Sequence, residues 1–184
     1  MEYSFSSFAV SQFAKHLGKE DDYKLLSNLS NGWKNLYDPE TRLIRPKDTK
    51  GNFLEDFNPL APWKGFQEGN AVQYTFYVPH QIDELVDLVG QETFNNRLDS
   101  IFLLSQKNIF GGGKEVDAFA GLKTVYNHGN QPNLHISWLF NFSGKPYLSQ
   151  KWVRAILDEF YGLEVYMAMV MDRMRIKDNW GLGT

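Results

Sequence analysis

One acid stands alone in an unusually ring-rich run. Phe66-Gln67-Glu68-Gly69-Asn70-Ala71-Val72-Gln73-Tyr74-Thr75-Phe76-Tyr77-Val78-Pro79-His80 carries carboxamides, phenols and an imidazole among aromatic residues, with Glu68 its single carboxylate. Side chains that grip hydroxyl groups, set among rings and away from any charge run, suit a sugar pocket better than a nucleotide or membrane surface. Glu68 is therefore the candidate for proton chemistry. A plainer reading has Glu68, ahead of Gly-Asn, capping the next helix.

A second polar cluster, Asn127-His128-Gly129-Asn130-Gln131-Pro132-Asn133-Leu134-His135, precedes the aromatic stretch Ile136–Phe140. Asn, Gln and free backbone carbonyls are oxygen donors that suit a hard cation such as calcium, whereas His is not. The same residues also make an ordinary turn and N-cap. A third stretch, Arg42 to Lys64, holds three prolines and no lasting period. A loop this long inside a compact domain is usually functional or ordered by a partner. Its Arg42, Arg45, Lys47 and Asp48 either reach a ligand or are simply solvated.

Helices must position these loops. Phe5, Phe8, Ala9, Gln12, Phe13 and Leu17 follow one helical face, which Gly18 stops. A second helix is expected from Asp21 to Leu36, burying Leu26, Leu29, Trp33 and Leu36. The short link between the two predicts an antiparallel hairpin. Asp38–Thr41 reads as a turn. Further helices are expected over Gly69–Tyr77, Ile82–Val89, Glu92–Leu104, Ile136–Phe140 and Ser149–Tyr161. The last of these would bury Trp152, Val153, Ile156, Leu157 and Phe160. Gly111-Gly112-Gly113 lacks the lysine and hydroxyl of a phosphate-binding loop. No strand alternation and no short repeat appears. The pattern is all-α, helix pairs with long polar loops at one end.

Composition narrows the classes. The chain has 184 residues, 15% aromatic and 22% charged, with a net charge of −3. No basic surplus points to nucleic acid, and no basic block or apolar span points to a membrane. With no cysteine, a thiol nucleophile, a thiolate metal site and disulfides are excluded. The start, Met-Glu-Tyr-Ser-Phe, has no signal-peptide pattern, so the chain is expected to be cytoplasmic or to have lost its natural start.

Several motifs occur together in one order. They are Met-Glu-Tyr-Ser-Phe, Asp38-Pro39-Glu40-Thr41 with Arg45-Pro46, and Glu68-Gly69-Asn70-Ala71 with Gln73-Tyr74 and Val78-Pro79-His80. Gly129-Asn130-Gln131-Pro132 follows, with Gly144-Lys145-Pro146 and Val153-Arg154. From Glu2 to Tyr161 this order resembles that of glycoside hydrolase family 92, calcium-dependent inverting exo-α-mannosidases. The resemblance implies that residues 1–161 are part of an (α/α)6 toroid. The family's upstream β-sandwich domain and the rest of the toroid would be missing. It implies a mannose-containing glycan as substrate, Glu68 as general acid, and Glu2, Asn70, Gln73, Tyr74 and His135 lining the pocket. Asn130 and Gln131 would lie at calcium, although the family usually has Glu where this chain has Gln131. Family members are usually exported.

Inversion needs a second carboxylate about 6.5–9.5 Å from the acid, with water between. The family's base lies in a glycine-rich run into Asp-x-Asp-x-Gly-Gln-[Leu/Met]-x-Ala-Trp, which residues 162–184 do not contain. Four of five methionines cluster between 167 and 174. Back-translating Met174 to Thr184 and reading one base earlier gives, with suitable codons, Asp-Ala-Asp-Gln-Gly-Gln-Leu-Gly-Ala-Trp. The expectation is a frameshift near Gly162. The competing reading is a divergent tail with Met167, Met171 and Met174 on one helix face. The functional expectation is a mannosidase fragment without its base, inactive alone. The alternative is a non-catalytic carbohydrate-binding or interaction module of helical hairpins.

Overall fold

The computed structural model describes residues 1–112 and 121–161. The expected frameshifted tail, 162–184, lies outside the described residues, as does Gly113. Helix α1 (Glu2–His16) has Glu2 in its first turn and Lys15 and His16 in its last, each complementing the helix dipole. Gly18, at φ +68°, turns the chain into α2 (Glu20–Ser30), which opens on Glu20, Asp21 and Asp22. The two helices pack together as the expected hairpin.

Their buried faces differ from expectation. Ser4, Ser11 and Ala14 face inward on α1, while Phe13 is 63% and Leu17 54% exposed. Leu29 of α2 is also exposed. Small residues suit a close approach at this face: a Cβ on Gly32, in the segment that follows α2, would sit 3.3 Å from Ser4 Oγ. The larger apolar side chains are left on the outside. The second helix also ends early, at Ser30, and continues as a 3-10 segment, Asn31–Leu36. Ser30 Oγ and Asn31 Nδ2 both donate to Ser27 O, at 2.7 and 2.9 Å. Such side-chain bonds compete with the helical ladder.

Two short strands appear where none was expected. β1 (Tyr37–Asp38) pairs antiparallel with β2 (Leu43–Ile44). Two residues are too few to show alternation in a sequence. The Asp38 carboxylate closes the turn, accepting from Glu40 N, Thr41 Oγ1 and Arg45 Nη1.

The helix expected over Gly69–Tyr77 shrinks to one turn, α3 (Ala71–Tyr74). Thr75 Oγ1 bonds Ala71 O and accepts Ile44 N, tying this turn to β2. α4 (Ile82–Val89) buries Leu85, Val86 and Val89, and Gly90 at φ +86° joins it to α5 (Gln91–Gln106). Ile136–Asn141 is 3-10 rather than α-helical. α6 (Pro146–Glu159) starts on proline and buries Leu148, Trp152 and Ile156, with Leu157 exposed against expectation. Phe102 of α5 stacks on Trp152 of α6 at 5.4 Å and meets Tyr126 at 4.8 Å. These rings belong to one core that runs from Trp33, the two strands and α3 through α4 and α5 to Tyr126 and α6.

Candidate functional site

The two polar clusters meet in space. Asn70 caps α3, its Oδ1 accepting Gln73 N at 3.2 Å. Its Nδ2 donates to Leu122 O at 2.8 Å and Thr124 O at 2.9 Å, and the residue is 0% exposed. Gln73 Nε2 donates to Gly121 O and Thr124 O, and its Oε1 accepts from Asn133 Nδ2. Asn133 Nδ2 also reaches Asn127 O at 3.1 Å. Asn70 and Gln73, expected to line a sugar pocket, thus have their amide groups engaged by protein. They fasten the two loops from beneath.

Tyr74 lies above them, and its hydroxyl donates to Gln67 O. Burial first, then the charges of Glu2, Tyr77 and Glu68, push its phenol up to about 12. It therefore stays a protonated donor at neutral pH. Phe66 packs on its ring at 5.4 Å. Tyr74, Glu2, Arg45, Phe66 and Gln67 line a cleft of about 210 Å³. Two expected site residues, Glu2 from α1 and Tyr74 from α3, are thereby brought together.

Glu68 follows Gln67 at this edge. Its side chain is exposed, and its backbone is left-handed at φ +52°. That conformation costs a non-glycine residue about 1 kcal/mol. Its carbonyl accepts Asn130 Nδ2 at 2.7 Å. Hence the acid projects into solvent while its backbone is held by the second cluster.

His135 bonds Phe76 O through Nε2 at 2.9 Å and packs edge-on against Tyr77 at 5.9 Å. Burial pulls its pKa down, against backbone bonds to Phe76 and Pro132. Gln131 is exposed at the head of the 3-10 turn Gln131–Asn133. Among the described residues no group of three His, Asp or Glu could hold a metal. Asn130 and Gln131 offer two neutral oxygens, whereas calcium takes six to eight, with carboxylates among them. These residues alone do not make a calcium site.

Two features were not foreseen. Arg45 is clamped, with Nη1 on Asp38 Oδ2 at 2.9 Å, Nη2 on Leu54 O, and its guanidinium 4.7 Å over Phe57. It orders the 42–64 loop from within. His128 bridges two phenols, Nδ1 with Tyr126 at 2.6 Å and Nε2 with Tyr161 at 3.1 Å. No spacing rule signals either one.

Burial lowers His128 from 6.5 to about 4, so it is neutral in the fold. An unfolded chain takes up that proton below pH 6.5 and the folded one does not. Stability is thus full above pH 6.5 and falls as the pH drops towards 4. His80 and His135, also lowered by burial, act in the same direction. The urea midpoint should fall across this window, and His128→Gln should flatten the fall. An unchanged slope in that variant would remove His128 as a source.

A model of the glycosyl hydrolase family 92 catalytic domain matches residues 1–168, running past the boundary expected at 161. The chain is 28% identical over 178 residues to an uncharacterized secreted glycosidase of Arthroderma benhamiae, covering 82% of this chain and 20% of that protein. It is similar to a solved family GH92 alpha-mannosidase of Bacteroides thetaiotaomicron, at 36% identity and TM-score 0.72 over 85% of this chain and 19% of that one. The same enzyme in complex with mannoimidazole matches at 33% identity and TM-score 0.73, over 86% of this chain and 22% of that one. A family GH92 inverting mannosidase of that organism matches at 30% identity and TM-score 0.70, over 85% and 22%. The chain spans about a fifth of the length of these relatives. Its helical pairs are those of a toroid-type domain.

Proposed function

Because the chain belongs to the glycosyl hydrolase family 92 catalytic domain family, we propose that the intact protein is an inverting exo-α-mannosidase with Glu68 as its general acid. The observation that carries this reading is the fixed Glu68 loop. Its carbonyl is held by Asn130, and the carbonyl before it by the hydroxyl of Tyr74, which lines the cleft. An acid set beside a cleft with phenol and carboxylate neighbours can protonate a departing glycosidic oxygen. In the step, the bond from the anomeric carbon to that oxygen breaks and its electron pair stays on the oxygen. The oxygen takes the Glu68 proton. Water bonds to the anomeric carbon from the other face and loses a proton to a base.

Glu2, the ring of Tyr74, whose hydroxyl is taken by Gln67 O, and the ring of His135 are the groups we assign to the sugar. Asn70 and Gln73 support them from below. The base is assigned to a part of the intact protein that the described residues do not include. Calcium is assigned to the intact protein too, since Asn130 and Gln131 do not complete a site, and no step above runs through it. A mannose-containing glycan outside the cell is the proposed substrate, in line with a relative named as a secreted glycosidase. Among the described residues no helix is long and apolar enough to cross a membrane.

The test is mannose release from α-mannosides, comparing the intact protein with this chain. Turnover by the intact protein, abolished by a chelator and absent from the chain alone, supports the reading. No release by the intact protein from any α-mannoside would refute it. The exposed side chain of Glu68 also favours a second reading, a non-catalytic carbohydrate-binding module. Saturable mannose binding without hydrolysis by the intact protein would select it.

A further inference from the structure

We propose that Asn130 and Tyr74 form a clamp on the peptide carbonyls flanking Glu68 and act as positioning residues for its carboxyl; this rests on the reading of Glu68 as general acid. Tyr74 Oη donates to Gln67 O, and Asn130 Nδ2 donates to Glu68 O at 2.7 Å. Two successive carbonyls are thus gripped from two different elements. Between them Glu68 sits at φ +52°, a conformation that carries a cost for a non-glycine residue. The next residue has no freedom either. A Cβ on Gly69 would stand 2.8 Å from the Tyr74 ring and 3.0 Å from Gln73 Oε1.

Asn130 is itself fixed. It is 8% exposed, its N–H reaches Asn127 O, and its carbonyl accepts Asn133 N at 2.9 Å. Asn133 in turn holds Gln73, which belongs to the same helical turn as Tyr74. The clamp therefore closes on itself through α3. Its effect is to fix the direction in which the Glu68 side chain leaves the backbone. Direction governs proton transfer, because a misplacement of about 1 Å can cost about a hundredfold in rate. A capping role for Glu68 does not require this arrangement, since Asn70 already caps α3.

The experiment uses the intact protein and two substrates that differ in their need for an acid. Methyl α-mannoside has a poor leaving group and needs protonation. A dinitrophenyl α-mannoside leaves without it. Asn130→Asp keeps the shape but turns an oxygen towards Glu68 O, and Tyr74→Phe keeps the ring but removes the donor. Each is expected to lower kcat on methyl mannoside roughly 30- to 100-fold, with KM changed less than about threefold. On the dinitrophenyl substrate the loss should stay below about fivefold. Equal losses on both substrates would overturn the clamp, since general damage to the cleft does not distinguish leaving groups. Should Asn130→Asp fail to fold, Tyr74→Phe decides alone. Glu68→Gln is run alongside. If it shows no leaving-group selectivity, the acid assignment fails and the clamp with it; if it does and the two clamp variants do not, only the clamp fails.

Discussion

Glu68→Gln in the intact protein should cut hydrolysis of alkyl α-mannosides by about 10²–10⁴-fold, the usual contribution of a positioned general acid. At the middle of that range the barrier rises by about 4 kcal/mol. Glutamine fills the same space and keeps an oxygen, but it has no proton to give. Because the Glu68 side chain is exposed and its fixed contact runs through the backbone, folding should be unaffected. The melting temperature should stay within about 1 °C of the parent, as expected of a surface substitution. Steady-state kinetics on methyl α-mannoside measures the first quantity and calorimetry the second. A variant with full activity would move the acid role elsewhere, and Glu2, which shares the cleft with Tyr74, would be the next residue to test.

The second large effect concerns stability. Asn70→Asp keeps the cap, because an oxygen can still accept Gln73 N. It replaces the Nδ2 donor with a carboxylate oxygen facing Leu122 O and Thr124 O, at 2.8 and 2.9 Å in the parent. The site is 0% exposed, so the carboxylate would be cut off from bulk water. The expected loss is about 3 kcal/mol or more, a large share of the 5–15 kcal/mol typical of a domain. Asn70→Ala, which loses the bonds without adding a charge, should cost about 2 kcal/mol. Urea denaturation of both variants gives the comparison. If Asp is no worse than Ala, the carbonyls of Leu122 and Thr124 are not held as described.

What could be read from the sequence was what lies close along the chain. The Glu68 run, the hairpin of α1 and α2 and the Gly90 joint between α4 and α5 are local, and their types and spacing carry them. The buried face of α1 was misread because hydrophobic periodicity assumes that large side chains turn inward. Here Ser4, Ser11 and Ala14 do so, and at Ser4 the approach of Gly32 leaves no space for a ring. The bond from Asn130 to Glu68 joins residues 62 apart, and no pattern at either end announces it. Asn70 and Gln73 stand out in the sequence as hydroxyl-gripping amides, and in the fold their amide groups bond the 121–133 segment. An amide that binds sugar and one that ties loops look alike until their partners are known. The β1–β2 pair was invisible because two residues cannot display a period of two.

The left-handed backbone at Glu68 bears on how this protein could be engineered. Glycine or asparagine adopts that geometry more readily, so either would relax the loop. Any selection for heat tolerance alone will drift towards those residues and discard the carboxyl. On the proposal that Glu68 is the acid, robustness and turnover compete at this one codon, and a library that scores both should keep the acid fixed and look for its gains elsewhere.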